Sequence, residues 1–179
     1  MPKGVVDPDR RERIARAAID VVARDGVDGL SHRAVAAQAQ VPLGSTTYHF
    51  SSRDDLLAAA IEQAQSDWDA YLEAWEARLE AKPDLAEALS ELVVGITGTD
   101  RDQAVVEYEL YVAALRRPAL QALSRAWDEA VPATIARHTD ALTAQALAMA
   151  VDGLVVRSLV RGEPLRPEEV LPIFRRIAG

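Results

Sequence analysis

The organisation of the chain is decided at Val41-Pro42-Leu43-Gly44-Ser45-Thr46-Thr47-Tyr48-His49-Phe50, where the residues suit something other than burial. Hydroxyls and an imidazole follow one another here, with an apolar residue at each end. Pro42 can open a helix, since the first helical position needs no backbone N–H. Ser51-Ser52 offers a new N-cap soon afterwards, so this helix must be short. The pattern predicts a short helix that faces outward and contacts something polar.

Two helices are predicted before this stretch. Asp7-Pro8 can begin the first, and apolar residues then recur at helical spacing until Gly26, which suits the position after a helix. Ser31 can cap the second, with Leu30 and Val35 at the spacing of a hydrophobic staple. A capped helix, a tight turn and a short helix, all preceded by another helix, have the sequence shape of a helix-turn-helix.

The rest of the chain also predicts helices, and strand-like alternation is hard to find, so the predicted fold is all-α. One apolar stripe runs from Ser52 to about Glu80, which predicts a long helix. Shorter helices follow, of which Asp84 can cap the first and Gly162 can end the penultimate one. The helix from Asp100 to about Arg117 is apolar nearly all round, so we expect it to be sandwiched between others. Pro132 is expected to kink or break a later helix. The last two predicted helices run from Leu142 to Val160 and onward from Pro167.

Composition excludes several classes of protein. The 179 residues are 49% hydrophobic and 27% charged, which favours an ordered helical protein. The absence of cysteine excludes disulfides, thiol catalysis and Cys-ligated zinc. The three histidines are scattered, so no metal site, cofactor or nucleophile–base pair is predicted, and an enzyme is disfavoured. Charges near the N-terminus and the lack of about 20 continuous apolar residues predict a soluble cytoplasmic protein without a membrane partner.

Charge is unevenly distributed along the chain. The net charge is −8, which taken whole argues against a nucleic-acid partner. Residues 1–53 contain eight Lys/Arg and six Asp/Glu, a net +2, so the remaining residues carry −10. The helix-turn-helix segment is therefore locally basic, as DNA binding requires.

The predicted short helix supplies both kinds of contact that duplex DNA demands. Gly44 lets the backbone approach a base pair, while Leu43 and the Thr46 and Thr47 methyls can touch thymine methyl groups or read base edges by hydroxyl. Phosphate donors and flanking positive charges are available from Arg33, Tyr48, His49 and Arg53. Spacing alone leaves a polar loop, or a helix-turn-helix shape without DNA contact, equally open.

The run Gly29-Leu30-Ser31, Val41, Gly44, Tyr48-His49-Phe50 and Arg53-Asp54-Asp55-Leu56-Leu57 resembles the N-terminal domain of TetR-family transcriptional regulators. The resemblance covers roughly the first third of the chain. It implies a DNA-binding domain in residues 1–52 and an effector-binding, dimerisation domain in residues 53–179. It further implies a homodimeric repressor on a palindromic double-stranded DNA operator, released by a small-molecule effector.

The resemblance also assigns individual residues. It implies base contacts by Arg33, Leu43, Gly44 and Thr47, and phosphate contacts by Ser31, His32, Ser45, Tyr48, His49 and Arg53. Gln40 and Pro42 depart from the family pattern, which usually has Gly and Ser or Thr there. A left-handed Gln40 would cost on the order of 1 kcal/mol.

An effector site is predicted in the acidic part of the chain. Tyr108 and Tyr111 lie three apart on one helical face, and Glu109 between them could select a cationic or hydroxylated ligand. Aromatic residues that could complete the cavity are Trp68, Tyr71, Trp75 and Trp127. Core packing is the rival interpretation, because aromatic residues at helical spacing are more often core than pocket.

The last two predicted helices form the dimer interface by the resemblance, as a four-helix bundle across a two-fold axis. The sequence independently supports only close packing, at small residues. The residues assigned to this interface are Ala146, Met149, Ala150, Gly153 and Phe174. A helical adaptor module without DNA contact is a further alternative that the net charge of −8 would suit, and the sign of regulation stays open.

Overall fold

A computed structural model describes residues 9–179. Within them the chain forms nine α-helices and no strand, so the all-α prediction is confirmed. The helices are α1 (Arg10–Gly29), α2 (His32–Gln38), α3 (Leu43–His49), α4 (Arg53–Ala81), α5 (Leu85–Thr97), α6 (Arg101–Ala113), α7 (Gln121–Ile135), α8 (Ala141–Arg161) and α9 (Pro167–Ala178). Two 3₁₀ turns, Ala114–Arg116 and Pro118–Leu120, separate α6 from α7. The predicted start at Asp7-Pro8 lies outside the described residues.

The helices group into two compact units. The first comprises the chain up to Gln65 together with Val106–Leu123, and the second comprises Ser66–Val105 and Ser124–Gly179. Three helices, α4, α6 and α7, therefore contribute residues to both units. The sequence analysis places a boundary between a DNA-binding domain and an effector-binding domain at residues 52 and 53. That functional boundary stays a prediction.

The first unit is built around the inner faces of α1, α2 and α3. Its core contains Ile14, Val21 and Val35, none of which is accessible to solvent, and α2 packs against both neighbours. Gly26 interrupts α1 with a left-handed φ of 71°, so the regular helix ends where the sequence predicted. This break turns the chain toward α2.

Side-chain caps fix three of the predicted helix starts. The Ser31 hydroxyl accepts from the Ala34 N–H at 3.2 Å, and Asp84 accepts from the Glu87 N–H at 2.9 Å. At the start of α4 the Ser52 hydroxyl accepts from the Asp55 N–H at 3.1 Å. Gly162 ends α8 in the left-handed conformation. These sequence predictions are confirmed.

The second unit contains a three-helix core in which α5, α8 and α9 pack on one another. Leu89, Leu147 and Phe174 are fully buried there. The Thr97 hydroxyl at the end of α5 accepts from the Leu165 N–H at 3.2 Å, which ties the α8–α9 connection to α5. The acidic remainder thus has its own packed core.

Two helix predictions are wrong. The segment after Asp100 is not sandwiched, because Val112 is 54% exposed and Leu115 is 62% exposed. Its α-helix also ends at Ala113, earlier than predicted. Pro132 does not break α7, which continues to Ile135, and the Ala136 N–H donates to the Pro132 carbonyl at 2.9 Å. The kink that was the alternative to a break stays a prediction.

The apolar helix α8 has the length and composition of a possible membrane span. It has 21 residues, and only 33% of its most apolar window is buried. Such a helix is weak evidence for a membrane, because a helix that packs against another protein chain has the same composition.

Candidate nucleic-acid interface and effector region

The helix α3 is set in place by a left-handed turn and two buried side chains. Gln40 has a φ of 55°, the strained conformation that its place in the turn suggested. The Val41 N–H donates to the Ala36 carbonyl at 3.0 Å, which closes the turn after α2. Thr46 and Phe50 are four residues apart and 0% and 3% exposed, so they anchor one face of α3 in the core.

The opposite face of α3 is open. Leu43 is 47% exposed and Tyr48 is 84% exposed. A Cβ atom added to Gly44 would meet nothing within 4 Å. The exposed Thr47 hydroxyl donates to the Gly44 carbonyl at 3.3 Å, which leaves its lone pairs for an outside donor. Gly44, Thr47 and Tyr48 therefore share a face that performs no packing within the chain.

Thr46 does not belong to this face, and its assignment as a DNA-contacting residue is wrong. Its side chain is fully buried, and its hydroxyl donates to the Leu43 carbonyl at 2.8 Å. Because Thr46 lies four residues before the buried Phe50, the helical repeat places it inside. The adjacent Thr47 points out for the same reason.

The residues assigned to phosphate lie around α3 at different depths. Ser31 and Arg33 are exposed at the first turn of α2, while Ser45 and His49 are partly buried. The Nδ1 atom of His32 is buried and has no hydrogen-bond partner among the described residues. The His49 ring meets the edge of Tyr48, with centroids 5.1 Å apart. Exposed donors thus border the open face of α3.

Arg53 is the first residue of α4 and is partly engaged within the chain. Its Nη2 atom donates to the Val27 carbonyl at 2.5 Å and lies 3.6 Å from the Asp28 carboxylate. The guanidinium group carries five donors, so this arrangement leaves others for an anion.

Asp55 caps the same helix: the Ser51 hydroxyl, together with the Ser51 and Ser52 amides, holds the pKa of its carboxyl below the usual value.

Sequence analysis missed the contacts that the second half of α6 and the turn after it make in the first unit. The Glu109 Oε1 atom accepts from the Val27 N–H at 2.6 Å. Arg117 lies 3.1 Å from the Asp54 carboxylate. Nothing in the residue pattern joins positions 27 and 109, so only the fold reveals this pairing. Ligand contact by Tyr108, Glu109 and Tyr111 stays a prediction.

In the second unit, the predicted aromatic residues of α4 come together. The rings of Trp68 and Tyr71 stack with centroids 5.4 Å apart and planes 11° apart. Trp68 is 8% exposed, and its indole N–H has no hydrogen-bond partner within residues 9–179. The Tyr71 hydroxyl lies 3.4 Å from the Asp100 carboxylate. An aromatic pair with one unused buried donor therefore lies beside an acid.

A cavity of about 160 Å³ opens beside this pair. Tyr71 and Trp75 line it, together with Arg78, Leu79, Lys82, Asp84, Glu87, Ala88, Glu91 and Leu92. Trp75 is satisfied within the fold, because its indole N–H donates to the Ala88 carbonyl at 2.9 Å. Trp127, also assigned to the effector site, is partly buried in this unit and does not line the cavity.

The charges around the cavity are only partly paired. Lys82 contacts Glu87 at 2.7 Å, which raises the pKa of the lysine, and Arg175 lies 3.5 Å from the same carboxylate. In the part of the chain that the structure describes, neither Glu91 nor Arg78, which also lines the cavity, forms an ion pair within 4 Å, although Glu91 contributes to the raised pKa of Lys82. The cavity thus combines aromatic walls with a carboxylate available to a cation.

The helix α8 exposes a continuous apolar stripe. Leu142, Met149 and Val160 are 78%, 64% and 83% exposed, and their spacing puts them on one helical face. We call this face the α8 stripe; it comprises Leu142, Ala146, Met149, Gly153, Val156 and Val160. A Cβ atom on Gly153 would meet nothing within 4 Å, so the middle of the stripe is open.

Phe174 does not belong to any exposed interface, and its assignment to the dimer contact is wrong. Its side chain is fully buried within the second unit. The exposed apolar residue of α9 is its neighbour Ile173, at 39%. The remaining assigned residues, Ala146, Met149, Ala150 and Gly153, stay predictions.

The chain resembles known regulators along its length. Residues 14–60 match the family described as bacterial regulatory proteins, tetR family, and residues 82–179 match the tetracyclin repressor-like C-terminal domain. The solved multidrug binding protein EbrR, in complex with imidazole, is 44% identical, with 97% of each chain covered and a TM-score of 0.84. EbrR has also been solved with ethidium, proflavin and malachite green.

Two further regulators show how the similarity is distributed. BetI, an HTH-type transcriptional regulator of Stenotrophomonas maltophilia, is 29% identical over 178 residues, covering 91% of this chain and 88% of BetI. PksA, an HTH-type transcriptional regulator of Bacillus subtilis, is 38% identical over 65 residues, which is 36% of this chain and 32% of PksA. The similarity to PksA thus covers only about a third of either chain.

Proposed function

Because the chain belongs to the TetR family of bacterial regulatory proteins, we propose that it is a homodimeric repressor that a planar aromatic cation releases from a palindromic operator. Membership makes it a DNA-binding transcriptional regulator with a ligand-binding C-terminal domain, and not an enzyme. The adaptor alternative without DNA contact is not favoured. Operator binding implies a cytoplasmic protein.

The observation that carries the proposal is the open face of α3. Gly44 has free space above it, and Tyr48 is 84% exposed on the same helix. A glycine inside a helix costs roughly 0.5–1 kcal/mol relative to alanine, and nothing in the free protein requires one here. A base pair approaching the backbone would require it, so we infer that this face enters the major groove.

Dimerisation is supported by the α8 stripe. An exposed apolar face of this length marks an interaction surface in a soluble protein. Small residues at Ala146 and Gly153 let a second backbone approach closely. A two-fold symmetric pair would place two α3 helices on half-sites about 34–36 Å apart, so the operator is expected to be palindromic.

The effector class rests on the second unit and on EbrR. EbrR forms complexes with ethidium, proflavin and malachite green, which are aromatic cations. Here Tyr71, on which Trp68 stacks, lines a cavity whose border has three carboxylates, Asp84, Glu87 and Glu91, against two cations, Arg78 and Lys82. Flat aromatic surfaces and an available carboxylate together favour a ligand of that class.

Selecting bound fragments from random-sequence duplexes tests the proposal. We expect a palindromic consensus, and release of the duplex when ethidium or proflavin is added. Tyr48→Ala should weaken binding if Tyr48 donates to a phosphate, and it should leave the salt slope nearly unchanged because the hydroxyl carries no charge. The proposal fails if no fragment is retained at low salt. A non-palindromic consensus would refute the symmetric dimer, and binding unaffected by either dye would refute the effector class.

A further inference from the structure

The corner between α1 and α2 contains a backbone amide that the helix cannot satisfy. Gly26 leaves helical geometry with φ 71° and ψ 172°, so the chain direction changes just before Val27. Buried or partly buried amides need a partner. The Glu109 Oε1 atom provides it at 2.6 Å, from a position 82 residues away in sequence.

The corner is shaped to receive this carboxylate. A Cβ atom at Gly26 would lie 3.0 Å from Glu109 Oε1, closer than nine in ten real Cβ contacts. The positive φ excludes most other residues independently. Gly26 therefore serves two purposes, since it turns the chain and leaves room for the acid.

The same residue, Val27, carries a second contact on its carbonyl side. Val27 O accepts from Arg53 Nη2 at 2.5 Å and from the Leu30 N–H at 3.2 Å. Val27 thus lies between Glu109 of α6 and Arg53, which opens α4. The hydrogen bonds form a continuous chain from α6 to a residue assigned to phosphate.

A second contact fastens the same segment to the start of α4. Arg117 Nε lies 3.1 Å from the carboxylate of Asp54, the residue next to Arg53. Arg117 Nη1 also donates to the Ala113 carbonyl at 2.6 Å, which fixes its side chain. Contacts from residues 106–123 therefore reach both sides of Arg53, through Val27 and through Asp54.

We propose that Glu109 is a positioning residue for operator binding. Its carboxylate fixes the α1–α2 corner, and the Val27 carbonyl of this corner holds the Arg53 guanidinium at the start of α4. This role rests on the proposed docking of α3 in the operator. It gives Glu109 a function different from the ligand contact that the sequence suggested.

The direction in which DNA affinity changes distinguishes a positioning role of Glu109 from a simple effect of its charge. Removing a negative charge from a DNA-binding protein raises its affinity for DNA when only the overall field matters. Loss of a positioning contact lowers affinity instead. Asp102→Ala is the matched control, because it removes the same charge from α6 and its side chain is fully exposed.

The test measures duplex binding by fluorescence anisotropy between about 50 and 200 mM KCl, where phosphate contacts dominate the salt response. The probe is a duplex carrying the selected consensus, or a random-sequence duplex if selection yields none. We expect Glu109→Ala to bind about 10-fold more weakly, which is about 1.4 kcal/mol, with a salt slope lower by about 0.9. Glu109→Gln, which keeps an acceptor oxygen, should stay within about threefold of wild type, and Asp102→Ala should bind as well as or better than wild type.

Amide hydrogen exchange at Val27 provides a readout that needs no DNA. Protection of this amide should fall in Glu109→Ala and persist in Glu109→Gln. Unchanged protection in Glu109→Ala would overturn the contact, whatever happens with DNA. Lost protection with wild-type binding and salt slope would overturn the positioning role. If wild type itself binds no duplex, the proposed function fails and the positioning role fails with it, while the exchange data still report whether the contact forms.

Discussion

Substitution by alanine should have different effects at two adjacent threonines of α3. Thr46→Ala should lower the stability of the fold, and Thr47→Ala should change the preferred DNA sequence. Thr46 is fully buried and its hydroxyl donates to the Leu43 carbonyl at 2.8 Å, whereas Thr47 is exposed. Thr46→Ala therefore removes a buried methyl and a buried hydrogen bond. Thr47→Ala removes the same atoms from the surface that we place in the groove.

The expected magnitudes follow from these environments. Burial of one methyl contributes about 0.8 kcal/mol, and the hydrogen bond contributes about 1 kcal/mol. Alanine recovers roughly 0.6 kcal/mol through its higher helix propensity. We therefore expect Thr46→Ala to lower the free energy of unfolding by about 1.2 kcal/mol. Thr47→Ala should stay within about 0.5 kcal/mol of wild type.

Urea unfolding followed by circular dichroism measures the first effect, at one protein concentration because dimerisation contributes to stability. Thr46→Ser and Thr46→Val divide the loss between the methyl and the hydroxyl. Fragment selection measures the second effect: Thr47→Ala should change the preferred base at one position of each half-site, and Thr46→Ala should not. Equal stability of both alanine variants, or a changed consensus for Thr46→Ala alone, would refute this orientation of α3.

Two further predictions concern the α8 stripe and the start of α4. Gly153→Arg should yield a folded monomer in light scattering, because a Cβ atom at the exposed Gly153 meets nothing in its own subunit and a charged side chain would separate two facing α8 stripes; a dimer that persists would contradict the placement of the interface. The folded-state pKa of Asp55 is depressed by the Ser51 hydroxyl, so its stabilising effect is present above the unfolded-state pKa of about 3.9 and is lost as pH falls through the lower folded value. Urea unfolding should accordingly show the gap between wild type and Asp55→Asn closing below about pH 4, and a constant gap would contradict it.

The parts of the fold that depend on local chemistry could be read from the sequence. Ser31 and Asp84 cap their helices, Gly162 ends α8, and Gln40 takes the left-handed conformation expected for the turn. Each of these signals acts over a few residues, because caps and turns satisfy neighbouring backbone groups. Local chemistry is therefore enough to place helix ends.

The orientation of short or evenly apolar helices could not be read in the same way. α3 has seven residues, too few for periodicity to separate Thr46 from Thr47. Val112 and Leu115 are apolar but exposed, since an apolar residue does not have to be buried. Phe174 is an aromatic residue of the subunit core that sequence alone could not distinguish from an interface residue.

Contacts between distant positions were also beyond the sequence. Glu109 and Val27 are joined by a side chain and a backbone amide, and a backbone amide leaves no trace in residue identity. Gly26 is the only residue near Val27 whose identity points to this contact. The end of the helix already explains a glycine at that position. The partner of such a glycine becomes visible only when the helices are packed.

The empty space above Gly44 has a consequence for how this regulator can diverge. A Cβ atom added there meets nothing within 4 Å, so alanine at this position changes the stability of the subunit only through its higher helix propensity. Selection on the residue at position 44 then acts through DNA binding and not through folding. Descendants that change target sequence can begin at position 44 without first acquiring compensating mutations in the core.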